Sequence, residues 1–426
     1  MGSVGRPVTI AVVGAGNRGA TYARHAVADG GATVVAVAEP NRTRREAFGR
    51  EHSIPADRLF GGWEDLAAVP WLADAVVIAT QDAMHVEPTV AMAGLGYQIL
   101  LEKPMAAAED GARKIVEAAR SAGVLLAVCH VLRYAPYTMS LRRLIDRGAV
   151  GDIVSVEHLE PVGWWHQAHS YVRGSWQREA ESSPMLLAKS VHDLDWLSHI
   201  VGRPARRVSS FGGLYHFRPE QRPAGAGETC LDCAVEPDCP YSARRLYLSC
   251  LGDPDLEEWP LSAVTDSRTP EGVLEALRTG PYGRCVYASD NDVVDHQVVS
   301  VEYDRGVTAS FTMTAFTPMM FRHTRIFGTH GYLECDGKKI TGLDFRTQEK
   351  YVINTDAGAG RHGGGDRGLV QAFVRAVAGG GARSGLAPPE ESLAAHQLVW
   401  AAERARHTGT VVSVDGAEDP RTDEEH

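Results

Sequence analysis

The sequence has no long hydrophobic run and no excess of positive charge. No stretch of the 426 residues approaches the roughly 18 consecutive apolar residues of a transmembrane helix. No signal-type apolar region precedes the first apolar segment at Val8, so we expect a cytoplasmic protein. The net charge of −11 argues against nucleic acid and anionic membranes as partners. We therefore expect neither a membrane protein nor a nucleic-acid-binding one.

Cysteine is too sparse for a disulfide-stabilised protein. The seven cysteines are an odd number in a large chain, so we expect no disulfide framework. Hydrophobic residues make up 44% and charged residues 23%, which is typical of a globular protein with a sizeable core. A chain of this length favours two domains.

The strongest motif lies in the first fifty residues. In order, these contain an apolar strand at 8–13, the turn Gly14-Ala15-Gly16-Asn17-Arg18-Gly19, a helix at 20–28, a strand at 33–38 and Glu39. Gly14 makes a tight turn, Gly16 lets the backbone approach a pyrophosphate, and Gly19 lets the helix pack on the strand. The helix N-terminus favours phosphate, so the pattern predicts a dinucleotide site. The alternative is a glycine turn that only closes a βαβ unit.

Glu39 favours NAD over NADP. Its carboxylate can accept hydrogen bonds from a ribose 2′-OH and would repel a 2′-phosphate. Arg42, Arg44 and Arg45 follow closely, and any one of them could reverse this preference.

Further strands and helices complete a doubly wound sheet, the first domain, at residues 1–130. A polar loop containing Thr80 and His85 follows one buried strand, and Glu102-Lys103-Pro104 follows the next. Open α/β sheets bind ligands at these carboxyl ends of their strands. The predicted cofactor-binding residues are Gly14, Gly16, Asn17, Arg18, Gly19, Glu39, Thr80, His85, Glu102 and Lys103.

The second domain, residues 131–414, has alternating strands joined by short turns, which predicts an antiparallel arrangement. Residues 218–283 are rich in Pro, Gly and Cys and are interpreted as an insertion. Residues 368–378 and 390–406 are predicted closing helices. The acidic tail at 415–426 is expected to be disordered.

Several motifs together resemble the glucose–fructose oxidoreductase / inositol dehydrogenase (Gfo/Idh/MocA) family. They are the glycine turn, T-x-x-x-x-H at 80–85, E-K-P at 102–104, and the segments 130–134, 189–195 and 362–366. The resemblance implies an α/β protein with an N-terminal Rossmann domain and a C-terminal α/β domain with a large, mostly antiparallel open sheet. It also implies a carbohydrate, cyclitol or glycoside substrate in the cleft between the domains, and a homodimer or homotetramer formed through the open sheet.

The predicted catalytic residues are Lys103, Lys189, His192 and Asp195. Lys103 follows a central strand and can handle the proton of a reacting hydroxyl; the alternative is a surface lysine. Lys189 and His192 lie three residues apart on an apolar helical pattern, with Asp195 expected to orient His192. The family often has an acid four residues before this histidine, where this chain has Ala188, so the identity of the general base is open. In segment 362–366, the glycines are expected to let the backbone approach the substrate, or Asp366 to cap a helix.

An aromatic and polar stretch at residues 163–176 is expected to bind the sugar. Aromatic faces cover the C–H side of a sugar ring, and His and Arg bond its hydroxyls. A subunit interface is the alternative, as is a metal site formed by its two histidines with His192. The predicted substrate-binding residues are Trp165, His166, His169, Arg173, Trp176 and His192.

Cys230, Cys233 and Cys239 form a C-x2-C-x5-C cluster. Three thiolates fall one short of a structural zinc site, so Cys250 or Cys285 would be the fourth ligand. Resemblance to a subgroup of the family favours Cys285. An iron–sulfur cluster and plain buried cysteines are the alternatives.

The sequence as a whole predicts an NAD-dependent dehydrogenase acting on a ring hydroxyl. The first alternative is a redox-neutral glycoside hydrolase that oxidises, eliminates, hydrates and reduces its substrate on the same NAD. The second is an NAD(H)-sensing binding protein, which the presence of both Lys103 and His192 disfavours.

Overall fold

The apolar strands predicted near the N-terminus form the centre of a parallel sheet. A computed structural model describes residues 6–28, 31–355, 362–380 and 385–414. Among these residues, six strands form a parallel sheet in the order β3-β2-β1-β4-β5-β6. The doubly wound sheet expected from the sequence is confirmed. Its strands are β1 (Val8–Val13), β2 (Ala32–Ala38), β3 (Leu59–Phe60), β4 (Ala75–Ile78), β5 (Gln98–Leu101) and β6 (Leu126–Val128).

Helices cover both faces of this sheet. The central strand β4 is buried along its whole length, which explains why it is a continuous run of apolar residues. Helix-period apolar residues face the sheet in the longest of these helices, where Ile115 and Ala119 are buried. The helices are α1 (Asn17–Ala28), α2 (Arg42–Glu51), α3 (Trp63–Ala67), α4 (Val86–Gly94) and α5 (Glu109–Ala122).

The described part of the second domain contributes a nine-stranded sheet in the order β14-β13-β12-β11-β7-β10-β9-β8-β15. Its pairs are antiparallel except for β7 and β10, which run parallel. The mostly antiparallel sheet is confirmed. Its strands are β7 (Ile153–Pro161), β8 (Ala205–Gly213), β9 (His296–Tyr303), β10 (Thr308–Thr314), β11 (His323–Gly328), β12 (Gly331–Cys335), β13 (Lys339–Asp344), β14 (Lys350–Asn354) and β15 (Val412–Ser413).

One face of the second sheet is covered and the other is open. Residues alternate between buried and exposed along β9 and β10, as expected for a sheet with one solvated face. Exposed apolar side chains on the open face include Val154, Phe211 and Val298. Assembly through this face remains a prediction.

The remaining helices pack on the second sheet, build the insertion, or return to the first domain. Residues Leu369 and Phe373 of α13 join the core around β1, so the chain crosses back to the Rossmann domain before it ends. The acidic tail lies outside the described residues. No described helix is long and apolar enough to cross a membrane. The helices are α6 (Pro136–Asp146), α7 (Trp164–His166), α8 (Met185–Ala188), α9 (Val191–Val201), α10 (Ala243–Leu248), α11 (Pro254–Glu258), α12 (Pro270–Thr279), α13 (Gly365–Ala378) and α14 (Pro389–Thr408).

A buried ion pair joins the end of the first sheet to the second domain. Asp195 on α9 is fully buried, and its carboxylate accepts hydrogen bonds from Arg133 Nε at 2.8 Å and Nη2 at 2.7 Å. Arg133 also donates to Glu391 at 2.6 Å. The expectation that Asp195 orients His192 is wrong, because both carboxylate oxygens are taken by Arg133.

We predict that Asp195→Asn lowers the free energy of unfolding by about 3 kcal/mol or more, because it leaves the buried Arg133 charge without its partner. Chemical denaturation measures this. The control is Glu46→Gln, which breaks the exposed Arg42–Glu46 pair and should change stability little. Equal effects of the two substitutions would contradict a stabilising role for the buried pair.

Candidate active site

The glycine turn has the geometry predicted for dinucleotide binding. Gly14 has a φ of +89°, which favours glycine. A Cβ on Gly19 would lie 2.0 Å from the carbonyl oxygen of Gly14, so only glycine lets α1 pack this closely. A Cβ on Gly16 would meet nothing within 4 Å, which leaves that backbone accessible. The turn therefore fits a pyrophosphate over Gly16 at the N-terminus of α1.

Glu39 lies beside this turn and is only 4% exposed. Its carboxylate accepts hydrogen bonds from the backbone N–H groups of Ala15 at 2.9 Å and Asn41 at 3.0 Å. Arg44 approaches to 3.6 Å and is half exposed, whereas Arg42 pairs with Glu46 instead. Arg45 donates to the backbone carbonyls of Glu39 and Pro40, so of the three arginines Arg44, which also lines the cleft, is the one placed to meet a 2′-phosphate.

Arg18 connects the turn to two distant segments. It donates to Glu102 at 2.9 Å and to Asp366 at 2.5 Å. Asp366 also bonds His362 Nδ1 at 2.8 Å. Burial raises the pKa of Asp366, but His362 and Arg18 outweigh it and hold that pKa well below its usual range. The capping role considered for Asp366 is not seen, since the N-cap of α13 is Gly364, which makes no side-chain cap.

His85 and Thr80 hold the loop after β4 together. Both ring nitrogens of His85 lie within hydrogen-bonding distance of a backbone carbonyl oxygen. Nδ1 is 2.7 Å from Pro104 O, and Nε2 is 3.2 Å from Thr80 O. The Thr80 hydroxyl donates to Met84 O. Neither residue lines the cleft described next, so any contribution to cofactor binding is through the shape of the loop.

A cleft of about 580 Å³ separates the glycine turn from the second domain. Its walls come from α1, the end of β5, the aromatic stretch, the insertion and the segment before β11. The polar and charged residues that line it include Asn17, Arg18, Arg44, Lys103, Glu160, His166, His169, Lys189, Arg322 and His362.

Lys103 lines this cleft, and the buried His192 lies close enough behind it for the lysine charge to lower the pKa of the histidine. Lys103 Nζ donates to Ala188 O at 2.6 Å, and burial lowers the pKa of the lysine. His192 is 4% exposed, and burial followed by the charge of Lys103 holds its pKa well below the usual value. Its Nδ1 has no hydrogen-bond partner among the described residues. His362 lies 5.7 Å away between ring centroids.

The predicted continuous helix through these residues is wrong. It breaks at Lys189 and Ser190 into α8 and α9, so Lys189 projects separately from His192. Lys189 Nζ lies 3.1 Å from Glu160 on β7, which also pairs with Arg322 at 2.6 Å. The family often has an acid at the position of Ala188. In this chain Glu160, on strand β7, brings a carboxylate to the cleft instead. Neither Glu160 nor Arg322 was identified from the sequence, because no local pattern marks them.

Only part of the aromatic stretch at residues 163–176 lines the cleft. His166, His169 and Trp176 line the cleft, and residues Gln167–Val172 form a π-helix, a form frequent at functional sites. Trp165 lies behind them against Trp259. The expectation for Arg173 is wrong: it is 2% exposed and turned away, bonding backbone carbonyls of the insertion.

The insertion forms part of the cleft. Trp259, Ser262 and Tyr282 face the cavity, and Tyr282 stacks on His169 at 5.0 Å. The composition of residues 218–283 marked a separate unit but not this contact. The rings of Trp259 and Tyr282 on the cleft suit a sugar ring.

Neither predicted metal site is supported by the structure. Within the described ranges, no group of three or more His, Cys, Asp or Glu side chains is arranged to hold a metal ion. This applies to the histidines of the cleft and to the expected zinc. Cys230, Cys233, Cys239 and Cys285 do line a small pocket that is separate from the cleft.

Family models match nearly the whole chain. One, described as oxidoreductase family, NAD-binding Rossmann fold, matches residues 8–130; the other, its C-terminal alpha/beta domain, matches residues 142–414. The chain belongs to the Gfo/Idh/MocA oxidoreductase family. The resemblance based on the sequence motifs is confirmed.

Individual relatives in this family are distant. The Bacillus subtilis (strain 168) protein YteT, described as an oxidoreductase, is 24% identical over 70% of this chain and 71% of its own. A 2,7-anhydro-N-acetylneuraminate hydratase of Escherichia coli (strain K12) is 29% identical over 50% of this chain, and the alignment spans 55% of that protein. The crystal structure of aldose-aldose oxidoreductase from Caulobacter crescentus has a TM-score of 0.67 at 14% identity, covering 96% of this chain and 100% of that one. This structural likeness shows the fold alone.

We predict that Gly16→Ala weakens NAD binding by about tenfold or more without lowering the melting temperature, because the new methyl group meets only the space meant for pyrophosphate. Gly19→Ala should lower both the NAD affinity and the melting temperature, since its Cβ would clash with the carbonyl oxygen of Gly14. Calorimetric titration and thermal unfolding measure the two effects. Gly61→Ala, at an equally open position outside the cleft, is the control. NAD affinity equal in Gly16→Ala and Gly61→Ala would place the pyrophosphate elsewhere.

Proposed function

We propose that the protein is an NAD-dependent oxidoreductase that moves a hydride between nicotinamide and a ring hydroxyl of a sugar, cyclitol or glycoside. The observation that carries this is the position of Lys103, which lines the cleft together with Asn17 and Arg18 of the glycine turn and acts by its charge on the buried His192. The two proton-handling side chains thus lie where a cofactor on the turn would present its reactive ring.

The residues present fit NAD. Gly16 and the first N–H groups of α1 would hold the pyrophosphate, and Glu39 would accept hydrogen bonds from the adenine ribose. Bound NAD would supply the hydride acceptor, since the redox chemistry belongs to the cofactor. Preference for NAD over NADP follows from the buried carboxylate of Glu39, with only Arg44 placed to oppose it.

Lys103 and His192 would handle the proton of the reacting hydroxyl. His192 is neutral at pH 7, because its pKa lies well below the usual value, and its Nδ1 is unpartnered among the described residues. It can therefore accept a proton. Lys103 has its ammonium fixed by Ala188 O, which leaves other donors for the substrate oxygen. Lowering of the Lys103 pKa by burial brings this residue closer to proton exchange at neutral pH.

The walls of the cleft suit a carbohydrate. The aromatic residues Trp176, Trp259 and Tyr282 line the same cleft as the polar groups of Glu160, Lys189 and Arg322. Such a pairing covers the apolar side of a sugar ring while bonding its hydroxyls. Lys189 and Arg322 both pair with the carboxylate of Glu160. Arg322 has a second partner, the buried carboxylate of Asp193.

A redox-neutral reaction is the second candidate. The E. coli relative is named as a hydratase of an anhydro sugar, a reaction without net oxidation. His166 and His169 also line the cleft, and they would supply the extra acid–base groups that elimination and hydration need. Both candidates require the same first step at Lys103 and His192.

We predict that Lys103→Ala and His192→Ala each reduce turnover by about 10²–10⁴-fold, the usual contribution of general acid–base catalysis. Steady-state kinetics with NAD and a panel of sugars, cyclitols and glycosides measures this. The matched controls are Lys114→Ala and His407→Ala, which remove exposed side chains outside the cleft.

NAD affinity and thermal unfolding of each variant separate chemistry from folding. Turnover of the Lys103→Ala and His192→Ala proteins within a few-fold of their controls would remove these residues from the mechanism.

A further inference from the structure

His130 is a buried histidine at the end of β6, and it begins the segment 130–134 that the sequence singled out. Its side chain is 1% exposed. Both of its ring nitrogens are buried, and neither has a hydrogen-bond partner among the described residues. A neutral imidazole carries one donor and one acceptor, and leaving both unused in the interior is costly. A neighbouring group is therefore expected to take them up.

Two other histidines flank His130. The ring of His192 is 6.0 Å away and that of His396 is 5.5 Å away, measured between centroids. His396 has no nitrogen to offer, because its Nδ1 lies 2.7 Å from Ser392 O and its Nε2 accepts the backbone N–H of Met105 at 2.9 Å. His192 has one, since its Nδ1 is buried and has no partner within the described ranges. The nitrogens of His130 and His192 are thus the ones left to meet.

Asp195 determines where the proton of His130 lies. Its Oδ2 is 3.7 Å from His130 Nδ1, and both side chains are 1% exposed. Arg133 bonds both oxygens of this carboxylate, but each oxygen has a second lone pair. An ionised carboxylate only accepts hydrogen bonds, so it favours the tautomer of His130 that is protonated on Nδ1. Nε2 of His130 is then an acceptor.

Each of the two histidines holds a single ring proton at neutral pH. Burial lowers the pKa of His130 well below its usual value, and the charges of Arg133 and Lys103 lower it further. Burial and then the charge of Lys103 lower the pKa of His192 in the same way. A neutral imidazole has one N–H and one acceptor nitrogen, so the proton position on one ring determines that on a ring bonded to it.

We propose that His130 is a positioning residue that fixes the tautomer of His192. Nε2 of His130 accepts a hydrogen bond from Nδ1–H of His192, either directly or through one water, and the distance between the rings leaves room for both. The proton of His192 then lies on Nδ1, so its Nε2 has the free lone pair that accepts the substrate proton. This inference rests on the proposed function, in which His192 is a base.

Nitrogen NMR of the full chain, labelled with ¹⁵N-histidine, tests the tautomer without using activity. The signals of the two residues are assigned from the His130→Gln and His192→Gln proteins. At neutral pH and without substrate we expect the proton on Nδ1 of both His130 and His192, with Nε2 unprotonated. A proton on Nε2 of His192 in the unsubstituted protein would overturn the proposal.

Two substitutions of His130 separate positioning from packing. His130→Leu keeps a buried side chain without an acceptor, so the proton of His192 should divide between the two nitrogens. Turnover should then fall by about tenfold or more, a part of the ~10²–10⁴-fold of general acid–base catalysis, with KM and NAD affinity within a few-fold. His130→Gln places an amide oxygen near the position of Nε2 and should restore most of the turnover. The control is His407→Leu, which removes an exposed histidine.

Two results with these variants would contradict a positioning role. One is turnover of His130→Leu within a few-fold of His407→Leu, with His192 still protonated on Nδ1. The other is an equal loss of turnover in His130→Leu and His130→Gln together with lower melting temperatures, which would show packing alone. If His130→Leu does not fold, the NMR measurement on the unsubstituted protein decides. Absence of turnover on every sugar, cyclitol and glycoside, with His192 protonated on Nδ1, would reject the proposed function but not the tautomer.

Discussion

The ion pair between Arg18 and Glu102 is the contact on which the site depends. Arg18 belongs to the glycine turn, and Glu102 precedes Lys103, the proposed catalytic lysine, and also accepts a hydrogen bond from the backbone N–H of Lys103 at 2.7 Å. Arg18 reaches Asp366 as well, and thereby His362 next to His192. One side chain thus connects the glycine turn to the residues that we propose as proton-handling groups. Its partners are 8% and 12% exposed at their side chains, so solvent screens the pairs little.

Local patterns predicted the elements that obey local rules. Strand β1 has the bounds expected from the sequence, because an apolar run followed by a glycine turn marks its end. Strands β8, β13 and β14 were not predicted, since polar residues and glycines interrupt their alternation. The geometry of the glycine turn and the position of Lys103 on the cleft could be predicted because both belong to short contiguous motifs.

Residues whose roles depend on distant partners were misassigned. Asp195 bonds a side chain 62 residues away, and Arg173 bonds carbonyls of Tyr241 and Arg284, which no spacing reveals. The same reason hid Glu160, which reaches Lys189 across the fold. The insertion was recognised from its composition, but its contacts were not predicted. One side of it faces the cleft through Trp259, and its cysteines line a separate pocket. Arg173 follows the cleft-lining residues His169, Ser170 and Tyr171 in the chain but borders the cysteine pocket.

The central claim is that a hydride leaves a ring hydroxyl of the substrate for nicotinamide in this cleft. The most direct measurement is incubation with NAD and a panel of sugars, cyclitols and glycosides in deuterated water, recording NADH absorbance and the products by NMR. The account predicts NADH in proportion to oxidised product for at least one compound. Release of free or hydrated sugar without NADH, with solvent deuterium beside the oxidised carbon, would contradict net oxidation and establish the redox-neutral reaction.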